Sequence, residues 1–323
     1  MKKIILSSIF FIAIGSTVVG QQLGQYSQYI NNHFLMNPGA VGAENGLDIS
    51  LGFRQQWVGI DNAPQNYYLS VSSPLSTIGK ITNPSLRTGS GSLIDEQSAT
   101  PIKLKHGVGG FVAADNYGPF KKVTGVLAYA IHLPVANKFH WSFGLNAGLS
   151  NLNFDRDQIT LIESSDNTFN SFAAAQAKIN YFDMNVGTYV YNSDFFVGYS
   201  SNQMMQNKIY FGGTPTNGKL NVHHFLMGGY HFKISDKMKL TPGFLVKYMN
   251  PAPVSLDFTA KLTFDDTYFG GFSFRNGDAI IVMLGAKFNE MFRVGYSFDY
   301  TLSNLSDYNS GGHEIMIGIL INK

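Results

Sequence analysis

Cysteine is absent from all 323 residues, which excludes disulfides, thiol catalysis, thiolate metal sites and a lipid-modified N-terminal cysteine. Charge is scarce as well: 14% of residues are Asp, Glu, Lys or Arg, against roughly 25% in ordinary soluble domains. Long hydrophobic runs are missing beyond residue 20. The longest, Ala279 to Ala286 and Ile315 to Ile321, fall far short of the roughly 20 residues that a spanning helix needs. If the mature chain crosses a membrane it must do so as a β-barrel, the other structure that satisfies its own backbone in lipid.

The first residues, Met1-Lys2-Lys3, precede an apolar run from Ile4 to Val19 that ends Val18-Val19-Gly20 ahead of Gln21. A basic start, an apolar middle and small residues at the end read as a secretory signal peptide, residues 1–20, cleaved after Gly20. Lys2 and Lys3 leave with it, so the 23 basic residues fall to 21 and equal the 21 acidic ones. No basic field remains to suggest a nucleic-acid partner.

What is abundant is glycine, 34 residues, and aromatic side chains, 14% of the chain. They are arranged with period two. Phe292, Val294, Tyr296, Phe298 and Tyr300 alternate with Arg293, Gly295, Ser297 and Asp299; Trp141 to Leu149 alternate in the same way with Ser142 to Ser150. Successive strand side chains point to opposite faces, so each segment carries one apolar and one small or polar face. The pattern recurs often enough to predict 14 strands of about ten residues, which suits tilted spanning strands. Aromatics gather near strand ends, as at Tyr67-Tyr68, Tyr181-Phe182 and Tyr268-Phe269, where an interfacial girdle sits. The expectation is an all-β, transmembrane antiparallel barrel from residue 47 to 323, integral to the outer membrane and in contact with its lipid. Residues 21–46 are expected as an N-terminal periplasmic segment. Short links such as Asn192 to Asp194 and Asn289 to Met291 are expected at the periplasmic end, and long ones such as Asn151 to Asn180 outside. Pro74 to Lys105 breaks this rule, as either a disordered insertion or a plug or partner contact.

Signs of catalysis or cofactor binding are weak. Gly213 to Lys219 has phosphate-loop spacing, but Leu220 stands where Ser or Thr is needed and a strand pattern follows. His313-Glu314 begins a zinc-protease motif without its second histidine, and His223-His224 are neighbours on opposite strand faces. No Gly-x-Ser-x-Gly elbow occurs. No catalytic, metal or cofactor site is expected. The charges on the polar faces, Asp48, Arg54, Lys247, Asp257, Lys261, Lys287, Arg293, Asp299 and Glu314, are expected to face the lumen. Both signs are present, which suits a paired network better than an ion-selective pore. On this reading an arginine at outward Phe298 should be costly and one at inward Ser297 milder. Trp57, Pro64, Tyr117 and Phe120 are expected at the outer end as partner-contact candidates, with turn chemistry an equal explanation.

Several strings resemble the PorP/SprF proteins of type IX secretion. Near the start these are Gln25-Tyr26-Ser27-Gln28-Tyr29, Asn37-Pro38-Gly39-Ala40-Val41-Gly42 and Arg54-Gln55-Gln56-Trp57-Val58-Gly59-Ile60. His106 to Gly110, Asn116 to Phe120 and Tyr129 to Pro134 follow, and the end has Gly295 to Ser303 and Tyr308 to Met316. The resemblance implies an outer-membrane barrel that works with type IX secretion and gliding components and with a secreted surface adhesin. A passive or ligand-specific, porin-like transport barrel is the alternative.

Overall fold

The computed structural model describes residues 24–75, 104–135, 139–155, 178–211 and 214–321. The expected signal peptide, most of the Pro74 to Lys105 connection and most of the Asn151 to Asn180 link lie outside the described residues. The strands are β1 (Leu47–Gln55), β2 (Gln65–Leu75), β3 (Lys105–Tyr117), β4 (Phe120–Val135), β5 (Phe139–Phe154) and β6 (Lys178–Tyr191). They continue with β7 (Phe195–Asn202), β8 (Lys208–Phe211), β9 (Thr214–Lys219), β10 (His223–Tyr230), β11 (Phe232–Lys233) and β12 (Met238–Met249). The last are β13 (Ser255–Phe264), β14 (Tyr268–Arg275), β15 (Ala279–Phe288), β16 (Phe292–Thr301) and β17 (Gly312–Ile321).

Fourteen of these form a closed antiparallel barrel, the strand number that the alternation predicts. Each pairs with its neighbour, β17 meets β1, and β10 meets β12 to close the circle. Strands β8 and β9 make a separate hairpin in the link between β7 and β10, and β11 is a two-residue strand beside β12. Of the string Gly213 to Lys219, the described part, Thr214–Lys219, is a strand and not the helix start that would meet a phosphate.

Register keeps the pleat in phase around the wall. Leu51 lies opposite both Leu69 and Ile317, and Phe258 opposite both Phe244 and Phe274. All of these point outward, with Leu127 79% exposed and Phe272 65%. Among the described wall residues the outward positions include no Asp, Glu or Arg, and their two lysines, Lys121 and Lys178, sit at strand ends. A belt of this size would aggregate in water and is the surface that lipid requires. Histidine joins the aromatic girdle at the strand ends: His224 stacks between Tyr199 and Tyr248 on three adjacent strands.

Leu47 and Ile321 mark one end of the barrel, called here the turn end. Phe264 to Thr267 and Phe288 to Met291 are tight hairpins closed by 3.0 Å backbone bonds. Their central residues, Asp265-Asp266 and Asn289-Glu290, all have positive φ, as turns that match strand twist demand. The opposite, loop end carries residues 56–64, 203–211, 214–222 and 302–311. Short turns face the periplasm in such barrels and longer loops face outward. A membrane-impermeant maleimide on whole cells should therefore label Asp61→Cys and not Asp236→Cys, with no native cysteine to add background. The opposite pattern would invert the barrel.

Residues 24–46 depart from expectation. They are folded inside the barrel and not on its periplasmic side. Three short 3-10 turns, Tyr29–Asn31, His33–Leu35 and Pro38–Ala40, bury Tyr29, Phe34, Leu35 and Met36. A segment this apolar gains more from the lumen wall than from water.

Candidate functional site: a lumen filled by the N-terminal segment

The segment touches strands on every side of the barrel, which only an occupant of the lumen can do. Near the loop end, the backbone N–H of Ser27 donates to Glu314 on β17 at 2.6 Å and its hydroxyl donates to Asp299 on β16 at 2.7 Å. Tyr29 shares a hydrogen bond with Thr259 on β13, Asn32 donates to Ser70 on β2, and His33 meets the Tyr189 hydroxyl on β6. Farther toward the turn end, Ser200 on β7 donates to the Met36 carbonyl and Ser142 on β5 to the Gly39 carbonyl, both at 2.6 Å. His132 on β4 holds the Val41 carbonyl, and Gly42 N–H donates to Ser72 on β2. Each such bond contributes about 1 kcal/mol net, and those to charged groups about 1.5–3 kcal/mol. The segment is thus a fixed filling, and it runs from Gly24 beside Asp115 at the loop end to Lys105 at the turn end, where that lysine's Nζ donates to the Ala43 carbonyl at 2.7 Å.

Inward glycines make the space. A Cβ at Gly144 would collide with the Pro38 carbonyl, and one at Gly187 with Asn37 Oδ1. Asn37 also donates to the Thr188 carbonyl at 3.0 Å while its Oδ1 accepts from Gly39 N–H at 2.8 Å. The Asn37-Pro38-Gly39 string therefore fits a cleft that only glycine leaves open. Gly144→Val together with Gly187→Val should dislodge this turn while leaving the outward faces intact. The expected readout is higher single-channel conductance in planar bilayers than the parent barrel gives; equal conductance would count against a close fit.

Seven of the nine charges singled out from sequence join two networks. Arg54 reaches Asp299 at 2.7 Å and Glu314 at 3.4 Å, and Arg275 continues the chain to Asp299 at 3.6 Å and Asp257 at 3.1 Å. Lys247 completes it on Asp257 at 3.2 Å. Arg293 pairs separately with Asp48 at 2.5 Å near the turn end. Lys261 and Lys287 also face inward but join neither network: Lys261 donates to Asn31 Oδ1, and Lys287 has no ion pair among the described residues.

Sequence reasoning missed Arg275, one of the most buried side chains of the barrel. Its parity with Gly271 and Ser273 on β14 was the available signal. It also missed the partners on the segment, Ser27, Gln28 and Gln25, whose positions no alternation marks. Gln25 accepts from Arg275 at 3.0 Å.

The expectation for Ser297 is overturned. That residue is fully buried opposite Glu314 in the filled lumen, so an arginine there meets packed atoms and is not the milder change.

Of the contact candidates, Tyr117 and Phe120 stack at 5.6 Å across the β3–β4 turn, and Phe120 packs onto the cluster of Leu152, Tyr181 and Leu220. Trp57 and Pro64 flank the 56–64 loop, which is tied to the 302–311 loop by Val58 N–H to the Gly311 carbonyl at 2.8 Å. His313 and Glu314 point to opposite faces, as do His223 and His224. No group of three or more His, Asp or Glu side chains able to hold a metal occurs among the described residues.

Cavities lie beside the segment among the described residues. One of about 70 Å³ lies toward the loop end, against Tyr26, Phe225 and Leu245. Another, about 900 Å³, lies toward the turn end beneath Ala43, Glu44 and Asn45.

Among solved structures the chain resembles the toluene transporter TbuX of Ralstonia pickettii, with a TM-score of 0.50 at 8% identity over 88% of this chain and 92% of that one. It is also similar to the toluene transporter TodX of Pseudomonas putida, TM-score 0.47, 10% identity, 89% and 93% covered. A third is the translocator domain of the autotransporter NalP from Neisseria meningitidis, TM-score 0.44, 10% identity, 91% and 94% covered. At such identities the likeness to TbuX establishes an outer-membrane barrel fold and nothing about cargo. No curated protein matches the chain. Residues 18–319 match the family model of the type IX secretion system membrane protein PorP/SprF, so this outer-membrane barrel belongs to the PorP/SprF family.

Proposed function

We propose that this barrel assists the export or cell-surface anchoring of an adhesin-type cargo by the type IX machinery, with a part in gliding motility, and that it performs no catalysis. Family membership supports the association with secretion components. The observation that carries the reading is the lumen, occupied by residues 24–46 and tied to strands around the whole wall. A porin-like barrel keeps a wide channel lined for its solute. Here that space holds protein. Function then falls to the surfaces at the two ends. At the loop end Trp57, Pro64, Tyr117 and Phe120 would offer aromatic and proline contacts, on loops already tied together and so spared much ordering cost on binding.

Deletion of the gene should remove one or more proteins from the cell surface while small-solute uptake stays unchanged. Surface proteomics of wild type and deletion strain, with conductance of the purified barrel, checks this. Loss of a single large adhesin would mark a dedicated partner, and loss of many secreted proteins a general component. An unchanged surface proteome with large, steady conductance would instead favour the passive or ligand-specific transport barrel.

A further inference from the structure

The cavity of about 900 Å³ at the turn end has two unlike walls. On one side β6 and β7 present Tyr189, Tyr191 and Phe196. On the other, β13, β15 and β16 present Lys261, Lys287 and Arg293. Strands β6 and β16 stand seven places apart in a circle of fourteen, so Tyr189 and Tyr191 face Arg293 across the lumen, while Lys261 on β13 stands three strands from Phe196 on β7.

The basic wall is undercompensated. Lys287 and Arg293 are direct cross-strand partners on β15 and β16, a placement that costs stability when both carry the same charge. Asp48 answers only Arg293, whose Nε is buried without a hydrogen-bond partner. Lys261 has one donor bond, 2.9 Å to Asn31 Oδ1, and lies 5.4 Å above the Phe269 ring; among the described residues it makes no ion pair, and Glu44 acts on it only across the cavity. Of the two acidic residues lining the cavity, Glu44 and Asp266, the second is engaged by Lys239 at 3.4 Å. The lining holds Lys105, Lys261, Lys287 and Arg293 against Glu44 and Asp266, and cations in excess of carboxylates in a confined space are arranged to receive anions.

We infer that this vestibule binds a carboxylate-bearing polypeptide segment presented from the turn end. Its acidic groups lie on Lys261, Lys287 and Arg293, and its apolar side chains lie against Tyr189, Tyr191 and Phe196. A lone inorganic anion would leave the aromatic wall idle. It would also leave most of the volume empty, since even a water molecule has a share of only about 30 Å³ in the liquid. The inference goes beyond the export role and stands apart from it: an unchanged surface proteome would leave it standing, and failed peptide binding would leave the export role standing.

The test uses the purified full-length barrel and fluorescein-labelled peptides. The probe alternates Phe and Asp over six residues with an amidated C-terminus; its counterpart carries Asn for every Asp, and a third peptide is the Asn form with a free C-terminal carboxylate. Fluorescence anisotropy should give at least about tenfold tighter binding of the Asp peptide than of its amidated Asn counterpart, weakening from about 0.05 to about 0.5 M salt. Lys287→Gln should weaken it severalfold, and the double change with Lys261→Gln by about tenfold or more. Lys121→Gln, at the loop end, should have no effect. Tight binding of the free-carboxylate Asn peptide would identify a C-terminus as the carboxylate source, with the same basic wall responsible. Equal binding of Asp and amidated Asn peptides, indifference to Lys287→Gln, or displacement by millimolar inorganic phosphate would overturn the inference. Lys287 makes no ion pair among the described residues, so its variant should keep the folded barrel's gel mobility.

Discussion

Arg54→Met is expected to destabilise the barrel by about 3–5 kcal/mol, the cost of leaving buried charge without its partner. Arg54 is 3% exposed and is the cation nearest to Glu314, itself 1% exposed. Its loss would leave Asp299 with only Arg275, at 3.6 Å. It would also remove a donor to the Ser27 hydroxyl, so the segment inside the lumen should loosen together with the network. A folding titration from lipid vesicles measures the loss. Adding Glu314→Gln should recover a substantial part of it. The amide oxygen can still accept from the Ser27 N–H that now bonds one carboxylate oxygen at 2.6 Å, at the loss of the longer 3.2 Å Gln28 bond to the other oxygen, and no uncompensated charge remains there. Equal stability of Arg54→Met and wild type would mean that the pair contributes nothing net, and an additive double variant would mean that the two residues are not coupled.

The second large effect lies on the opposite face. Leu284, 57% exposed at the centre of β15, should cost about 2–4 kcal/mol on replacement by Arg, because an arginine at the bilayer midplane has no water to hold. Phe288→Arg, at the turn end of the same strand, should cost about 0–1 kcal/mol, since its guanidinium reaches the headgroup region. The difference between two outward positions on one strand reports depth and not packing. Matching costs at both positions in the same vesicle titration would undo the placement of the lipid face.

The two kinds of position differ in how far they could be read in advance. Leu284 and Phe288 read as outward because Gly285 and Lys287 between them mark the other face, although the run Ala279 to Leu284 is apolar on both faces. The inward direction of Asp257, Lys261 or Asp299 follows from the same parity. Their partners do not. Arg54 finds Asp299 and Glu314 at separations of 245 and 260 residues along the chain, and those pairings exist only once β1 has met β17. Arg275 is hidden at the end of an aromatic-rich strand, Tyr268–Arg275, where it resembles an ordinary flanking charge.

The sequence by itself determined the strand number, the strand faces and the membrane class, because lipid imposes a local rule: alternate side chains must be apolar wherever the outer surface meets hydrocarbon. That rule repeats along the fourteen barrel strands and needs no distant partner. The filling of the lumen was decided only by tertiary structure. Residues 24–46 carry no repeating pattern, and their short 3-10 turns are not stable alone. What holds them is a cleft assembled from strands far apart in the chain, with Gly144, Gly187 and Gly198 opening room for Asn37 and Pro38 and with Glu314 and Asp299 holding Ser27. Composition recorded those glycines as an excess, but only barrel closure sets them opposite the backbone they admit.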